Sequence, residues 1–259
     1  MLLESQVAIV SGVGPGMGRD IALRFAREGA NLALGARSAD YLESVAKEVR
    51  ALGRRAVALP TDISKLEDCA RLVGRAEEEL GGVDILVNNA YHPGRYELFE
   101  HADLERWREP LEVNLFGSLR LTQEVVPRMK RRGGGSVVFI NSMIVREVLP
   151  TMASYAASKG ALLAAAQGLA RELGPHRIRV NSVLPGYIWG ATLEGYFRAQ
   201  ADARKVSPEV VYREVAAKLA LGSIPGSEEI AGAVLFFASQ LSSVVTGQSL
   251  DVNGGQVMA

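Results

Sequence analysis

Cysteine occurs once in the 259 residues, at Cys69. A single thiol excludes an internal disulfide, and nothing around it has metal-site spacing. It reads as a small buried apolar side chain on a helix. No run of roughly eighteen apolar residues exists, so no membrane-spanning helix is expected. Net charge is also lacking: 29 basic side chains stand against 29 acidic ones, which leaves no field to hold nucleic acid or an anionic membrane. The opening stretch MLLESQVAIV lacks a basic leader, and Glu4 and Gln6 break its apolar run. It is not read as a secretory signal, and a cytoplasmic protein is expected. No repeat or low-complexity tract is apparent, and no metal site is expected.

What is present is ordinary in amount and regular in order. Hydrophobic residues make up 48% and charged ones 22%, enough for a sizeable core. Short runs rich in Val, Ile, Leu and Ala lie at 6–11, 31–36, 55–60, 84–88, 136–141, 178–184 and 248–252. Such runs fit strands covered on both faces. Segments of helical period fill 17–28, 39–52, 65–80, 103–130, 154–174 and 227–239. The alternation predicts an α/β, Rossmann-type doubly wound parallel β-sheet with helices on both faces. No linker divides the chain, so residues 1–259 are expected to form one nucleotide-binding domain. Residues 187–224 exceed what a connection needs and read as a lid over a ligand. Their Tyr187, Trp189, Tyr196, Phe197 and Tyr212, with Tyr91 and Tyr96 in the loop 91–101, suit an apolar, ring-bearing substrate or serve to pack the lid itself.

The first strand runs into SGVGPGMGR, with Gly12, Gly14, Gly16 and Gly18 ahead of the first helix. Glycines there allow a tight turn and a close ligand, and the amino end of the helix favours pyrophosphate. At the end of the second strand an acid would hold a ribose 2′-hydroxyl. This chain has Ala36 and Arg37 instead. A guanidinium attracts a 2′-phosphate, so NADP(H) is favoured and NAD(H) remains the alternative.

Ligands of such sheets bind at the carboxyl ends of the strands. Asn88 and Asn89, then Asn141 and Ser142, then Pro185 and Gly186 end three successive strands. Tyr155 and Lys159, four residues apart on the next helix, share one face. The convergence makes a packing tyrosine beside a snorkelling lysine the weaker reading.

With these stretches the chain resembles the short-chain dehydrogenase/reductase family along nearly its whole length. The matching stretches are S-G-V-G-P-G-M-G (11–18), T-D (61–62), N-N-A (88–90), the asparagine of V-N-L-F-G (113–117), N-S (141–142), Y-A-A-S-K (155–159), R-V-N-S-V-L-P-G (179–186) and T-G-Q-S-L-D-V-N-G-G (246–255). The resemblance implies hydride transfer between a nicotinamide and a secondary alcohol or ketone. Tyr155 would be the general acid/base, and its phenol, ordinarily near ~10, would have to fall by roughly 2–3 units. Lys159, together with the positively charged oxidised nicotinamide, would favour the phenolate, and it would also hold the nicotinamide ribose. Ser142 would bind the substrate oxygen, and Asn114 a water behind the lysine. The implied cofactor contacts are Gly12, Gly14, Gly16, Met17, Gly18 and Arg37, then Asp62 and Ile63. Asn88 and Ala90 follow on the adenosine side, and Pro185, Gly186 and Ile188 beside Tyr155 and Lys159. The implied substrate contacts are Ser142 and Tyr155, and the aromatic rings of the loop and the lid add Tyr91 and Trp189 as expected ones.

Departures from the pattern are Tyr91 where glycine is usual, and Gly190 where a threonine commonly meets the nicotinamide amide, with Thr192 two residues on. Ser11 and Asn253 are milder changes. A hydrolase would pair Ser142 with His92, His101 or His176, but no G-x-S-x-G elbow surrounds it. A methyltransferase would want an acid at the ribose. The remaining alternatives are an NAD-dependent alcohol dehydrogenase of the same family and a non-catalytic NADP(H)-sensing protein. The small face of the 154–174 helix (Ala157, Gly160, Ala161, Ala164, Gly168), with the family's habit, implies a homo-oligomer, a tetramer or dimer.

Overall fold

Val7–Ser11 forms β1, and every one of its five residues is buried. Alternate side chains go opposite ways, as strand geometry requires. Ala8 and Val10 join an apolar cluster with Ile21, Leu42 and Ile230. Val7 and Ile9 join a second with Leu72, Leu121 and Leu162. Two core layers therefore sandwich the sheet, which explains the continuous apolar runs.

The computed structural model describes residues 1–258. Its elements are β1, α1 (Met17–Arg27), β2 (Asn31–Ala36), α2 (Ala39–Ala51), β3 (Ala56–Pro60), α3 (Leu66–Leu80), β4 (Ile85–Asn88), a short α4 (Arg108–Pro110) and α5 (Ser118–Arg132). They continue with β5 (Gly135–Ile140), α6 (Ala153–Leu173), β6 (Ile178–Pro185), α7 (Ala191–Arg204), α8 (Pro208–Ala216), α9 (Ser227–Ala238) and β7 (Ser249–Val252). The sheet order is β3-β2-β1-β4-β5-β6-β7, with parallel pairing throughout. The winding reverses between β1 and β4, where Ser11 is in register with Asn88, and the carboxyl ends part there to leave a crevice.

The helix expected over 103–130 is instead broken. A 3₁₀ turn (Leu104–Trp107) leads through α4 into a π-helical turn, Leu111–Gly117, before α5 begins. Pro110 lacks a donor for regular helical bonding, and a Cβ on Gly117 would lie 2.8 Å from Ile63, so the wide turn passes tight against the end of β3. The 187–224 insertion holds α7 and α8 around its own apolar cluster of Phe197, Ala201, Val211, Ala216, Leu219 and Ile224. Among the described residues no helix is long and apolar enough to cross a membrane.

Candidate active site

The glycine turn is built by close backbone contacts. Gly12 has φ +75°, and a Cβ there would lie 2.4 Å from the backbone of Ala90; one on Gly18 would lie 2.4 Å from the Gly12 carbonyl. Asn89 Nδ2 donates to that same carbonyl at 2.8 Å. Gly14 is the opposite case, since a Cβ there meets nothing within 4 Å. Gly16, φ +97°, caps α1 with no side-chain bond, so the first amides of the helix face an open cradle suited to an anion. Met17 and Ile188 are half-buried against the neighbouring apolar layer.

Arg37 stands exposed just past β2 and enters no ion pair among the described residues. Arg19, one turn into α1, is by contrast held by Glu48, with Nε to Oε1 at 3.0 Å. Asp62 Oδ1 accepts from the Ser64 amide at 3.0 Å and hydroxyl at 2.7 Å, an Asx turn that fixes the carboxylate at the end of β3. The Ile63 side chain is buried against Gly117, and its carbonyl accepts from the Cys69 thiol at 3.5 Å. The two positions expected to line the adenosine separate. Ala90 abuts the turn, whereas Asn88 donates through Nδ2 to Thr122 Oγ1 at 3.0 Å on α5. Its neighbour Asn89 makes the contact with the turn, because successive strand residues face opposite ways.

Ser142 follows β5 in extended conformation, and its Oγ accepts from the Ile144 amide at 3.2 Å. That bond fixes the side chain and leaves the hydroxyl proton free to donate. Tyr155 sits in the first turn of α6, and Lys159 lies one turn later, almost fully buried. Burial dominates the electrostatics of both groups. Lys159 Nζ donates to the Ile140 carbonyl at 2.8 Å and stands 5.8 Å from the centre of the Tyr155 ring. Burial pulls the Lys159 amine down to about 7. Burial also pushes the Tyr155 phenol well above its ordinary value; the Ser142 hydroxyl opposes this, and the phenols of Tyr91 and Tyr96 add to it. Both shifts share one cause, since a dry site disfavours the charged form of either group.

Asn114 rides on the π-helical turn and is fully buried. Its Oδ1 accepts from the His92 amide at 2.7 Å, while Nδ2 donates to the His92 carbonyl at 2.9 Å and to Ser158 Oγ at 2.8 Å. Both amide protons are spent, so the side chain serves as a clamp. Ser158 in turn donates to the Tyr155 carbonyl at 2.7 Å. The clamp thus ties the 91–101 loop to the turn of α6 that carries Tyr155. Gly94 completes the seam: with φ +71°, its Cβ would lie 2.6 Å from Ser154 Oγ. Nothing in the spacing of His92 or Ser158 announces this.

On the open side, Tyr91 and Tyr96 are 58% and 66% exposed, free to meet a substrate. Trp189 does not match its expected role as fully. Its ring packs edge-on against Tyr212 at 4.9 Å and near Phe197 at 5.9 Å, so much of it belongs to the core of the lid. Pro185 is buried, and Gly186 passes so close to Asn253 that a Cβ would lie 2.7 Å from it. Thr192 is exposed in the first turn of α7. Among the described residues no cluster of His, Cys, Asp or Glu could hold a metal ion.

Residues 12–256 match the family model described as enoyl-(acyl carrier protein) reductase. The 7α-hydroxysteroid dehydrogenase of Escherichia coli (strain K12) is 34% identical over 255 residues, covering 98% of this chain and 95% of that protein. A solved structure of 7α-hydroxysteroid dehydrogenase with NADH and 7-oxo glycochenodeoxycholic acid superposes with a TM-score of 0.88 at 34% identity, covering 99% of this chain and 96% of that one. L-sorbose reductase from Gluconobacter frateurii, solved with NADPH and L-sorbose, gives a TM-score of 0.94 at 28% identity, covering 100% of both chains.

Proposed function

The chain belongs to the short-chain dehydrogenase/reductase family and is an NAD(P)-dependent oxidoreductase, and we propose that it prefers NADP(H) and interconverts a secondary alcohol and a ketone. The observation that carries this reading is the adjacency of Ser142, Tyr155 and buried Lys159 at the carboxyl end of β5, beside a glycine turn open to an anion. The open cradle at Gly14 and Gly16 suits the pyrophosphate. Asp62, Ile63 and Ala90 border the adenosine half, and Pro185, Gly186 and Ile188 the nicotinamide half.

A nicotinamide held beside Pro185, Gly186 and Lys159 would supply the hydride chemistry, in either direction, at the substrate carbon. Ser142 donates its free O–H to the substrate oxygen and fixes it. Tyr155 gives its phenolic proton to that oxygen in reduction and receives it in oxidation. A high phenol pKa suits the acid role, and positive charge brought near it is needed for the base role. Lys159 answers that need once its ammonium is stabilised by acceptors beyond Ile140.

Arg37 supports the cofactor preference, being exposed and without an ion-pair partner among the described residues. Dissociation constants for NADPH and NADH, read from quenching of the two tryptophans, test it. NADPH should bind about tenfold tighter or better; tighter NADH would overturn the preference and favour an NAD-dependent alcohol dehydrogenase. The reaction is tested with trans-1-decalone, acetophenone and 2-octanone. Oxidation of NADPH with at least one is expected, while tight NADPH with none reduced would favour the sensing protein.

We further propose a homo-oligomer, a tetramer or dimer, acting in the cytoplasm. Ala157, Gly160, Ala164 and Gly168 form an exposed face of α6, and Cβ atoms on Gly160 and Gly168 would meet nothing within 4 Å. Their smallness serves no contact within the chain, which leaves close approach by a second copy as its use. Light scattering at micromolar concentration should show the oligomer, and a monomer overturns it.

A further inference from the structure

Asn141, at the end of β5, is 3% exposed, and both ends of its amide are engaged. Its Oδ1 accepts from the Ser142 amide at 3.0 Å. Its Nδ2 donates to the main-chain carbonyl of Lys159 at 3.2 Å. Its own amide donates to the Val183 carbonyl at 2.8 Å, which anchors it to the sheet. One side chain, fixed by β6, therefore spans the gap between the residue that carries the Ser142 hydroxyl and the helical turn that carries Tyr155 and Lys159. Ile140, the residue before it, accepts from Lys159 Nζ, so the strand end holds the lysine by both its head and its main chain.

We propose that Asn141 is the positioning residue that sets the spacing between Ser142 and the Tyr155–Lys159 turn of α6. It touches no reacting atom and acts through the other two. The proposal rests on the reading of Ser142 and Tyr155 given above. An amide is suited to the task because it offers an acceptor to an N–H on one side and a donor to a carbonyl on the other. A misplacement of about 1 Å in such a site costs on the order of a hundredfold in rate.

The test is a double-mutant cycle of Asn141→Ala and Ser142→Ala. It is run with NADPH and the ketone that the wild type reduces fastest among trans-1-decalone, acetophenone and 2-octanone. Alone, Asn141→Ala should lower kcat by about 10- to 100-fold with KM changed by less than about threefold. In the Ser142→Ala background it should cost far less than it does alone, because the group it positions is gone. Additive losses would assign Asn141 to general stability and overturn the proposal, as would wild-type kcat in Asn141→Ala. Asn141→Ser, which keeps a hydroxyl to pair with one side, should recover part of the loss; it replaces the alanine variant in the cycle if that variant does not fold. Full activity in Ser142→Ala alone would overturn the parent reading, a result distinct from failure of the cycle.

Discussion

Lys159 Nζ stands 5.8 Å from the centre of the Tyr155 ring with its proton directed elsewhere, at the Ile140 carbonyl 2.8 Å away. The two groups share one dry site, and burial sets the direction of both shifts. The lysine is drawn down to about 7 and the phenol is driven up. Burial therefore favours the neutral phenol, and a phenolate needs additional positive charge nearby.

This arrangement has a signature in stability. The unfolded chain keeps its lysine protonated to about pH 10, while folded Lys159 sheds its proton near 7. The unfolded state binds more protons between those limits, so stability attributable to Lys159 rises with pH across that window and is flat below it. The raised Tyr155 pKa acts only above about pH 10, outside the window. Lys159→Met should therefore melt higher than the wild type at pH 7, by on the order of 5 °C, with the gap closing by pH 9.5. A gap that does not change with pH would contradict the assignment.

Arg37→Ala should weaken NADPH binding by about tenfold, as expected for loss of charge-assisted hydrogen bonds. NADH binding should stay within about twofold of the wild type. Equal losses for both cofactors would mean that Arg37 does not meet the 2′-phosphate. Fluorescence titration measures both on one sample.

Gly94→Ala tests the seam between the 91–101 loop and α6. A side chain at φ +71°, 2.6 Å from Ser154 Oγ, carries about 1–2 kcal/mol of backbone strain besides the clash. The loop should lift from Tyr155 and carry Tyr91 and Tyr96 with it. Steady-state kinetics should show KM raised more than kcat is lowered, with NADPH affinity kept. An unchanged KM would detach this loop from substrate binding.

Much of the fold was legible because its physics is local. Strands buried on both faces leave continuous apolar runs, as at 7–11 and 136–140, and Gly12 and Gly18 are needed where backbones nearly touch. The convergence of Ser142, Tyr155 and Lys159 also followed, from strand ends and a helical repeat of four. What escaped depends on which partner a side chain finds in space. Asn114 gives its amide to His92 and Ser158, and Asn89 rather than Asn88 meets the glycine turn. The π-helical turn at Leu111–Gly117 passes tight over Ile63, a contact that no periodicity records. Trp189 read as either substrate wall or lid packing, and composition could not show that Tyr212 and Phe197 pack against its ring while it stays 37% exposed.

The most direct test of the whole account is Tyr155→Phe, compared with the wild type for both NADPH affinity and NADPH oxidation with the fastest ketone of the panel. The variant removes one oxygen and keeps the ring. It should bind NADPH within about twofold of the wild type and lose roughly 10²- to 10⁴-fold in turnover, the usual worth of a positioned acid. Turnover near that of the wild type, with NADPH still bound, would show that the proton passes elsewhere and would contradict the mechanism.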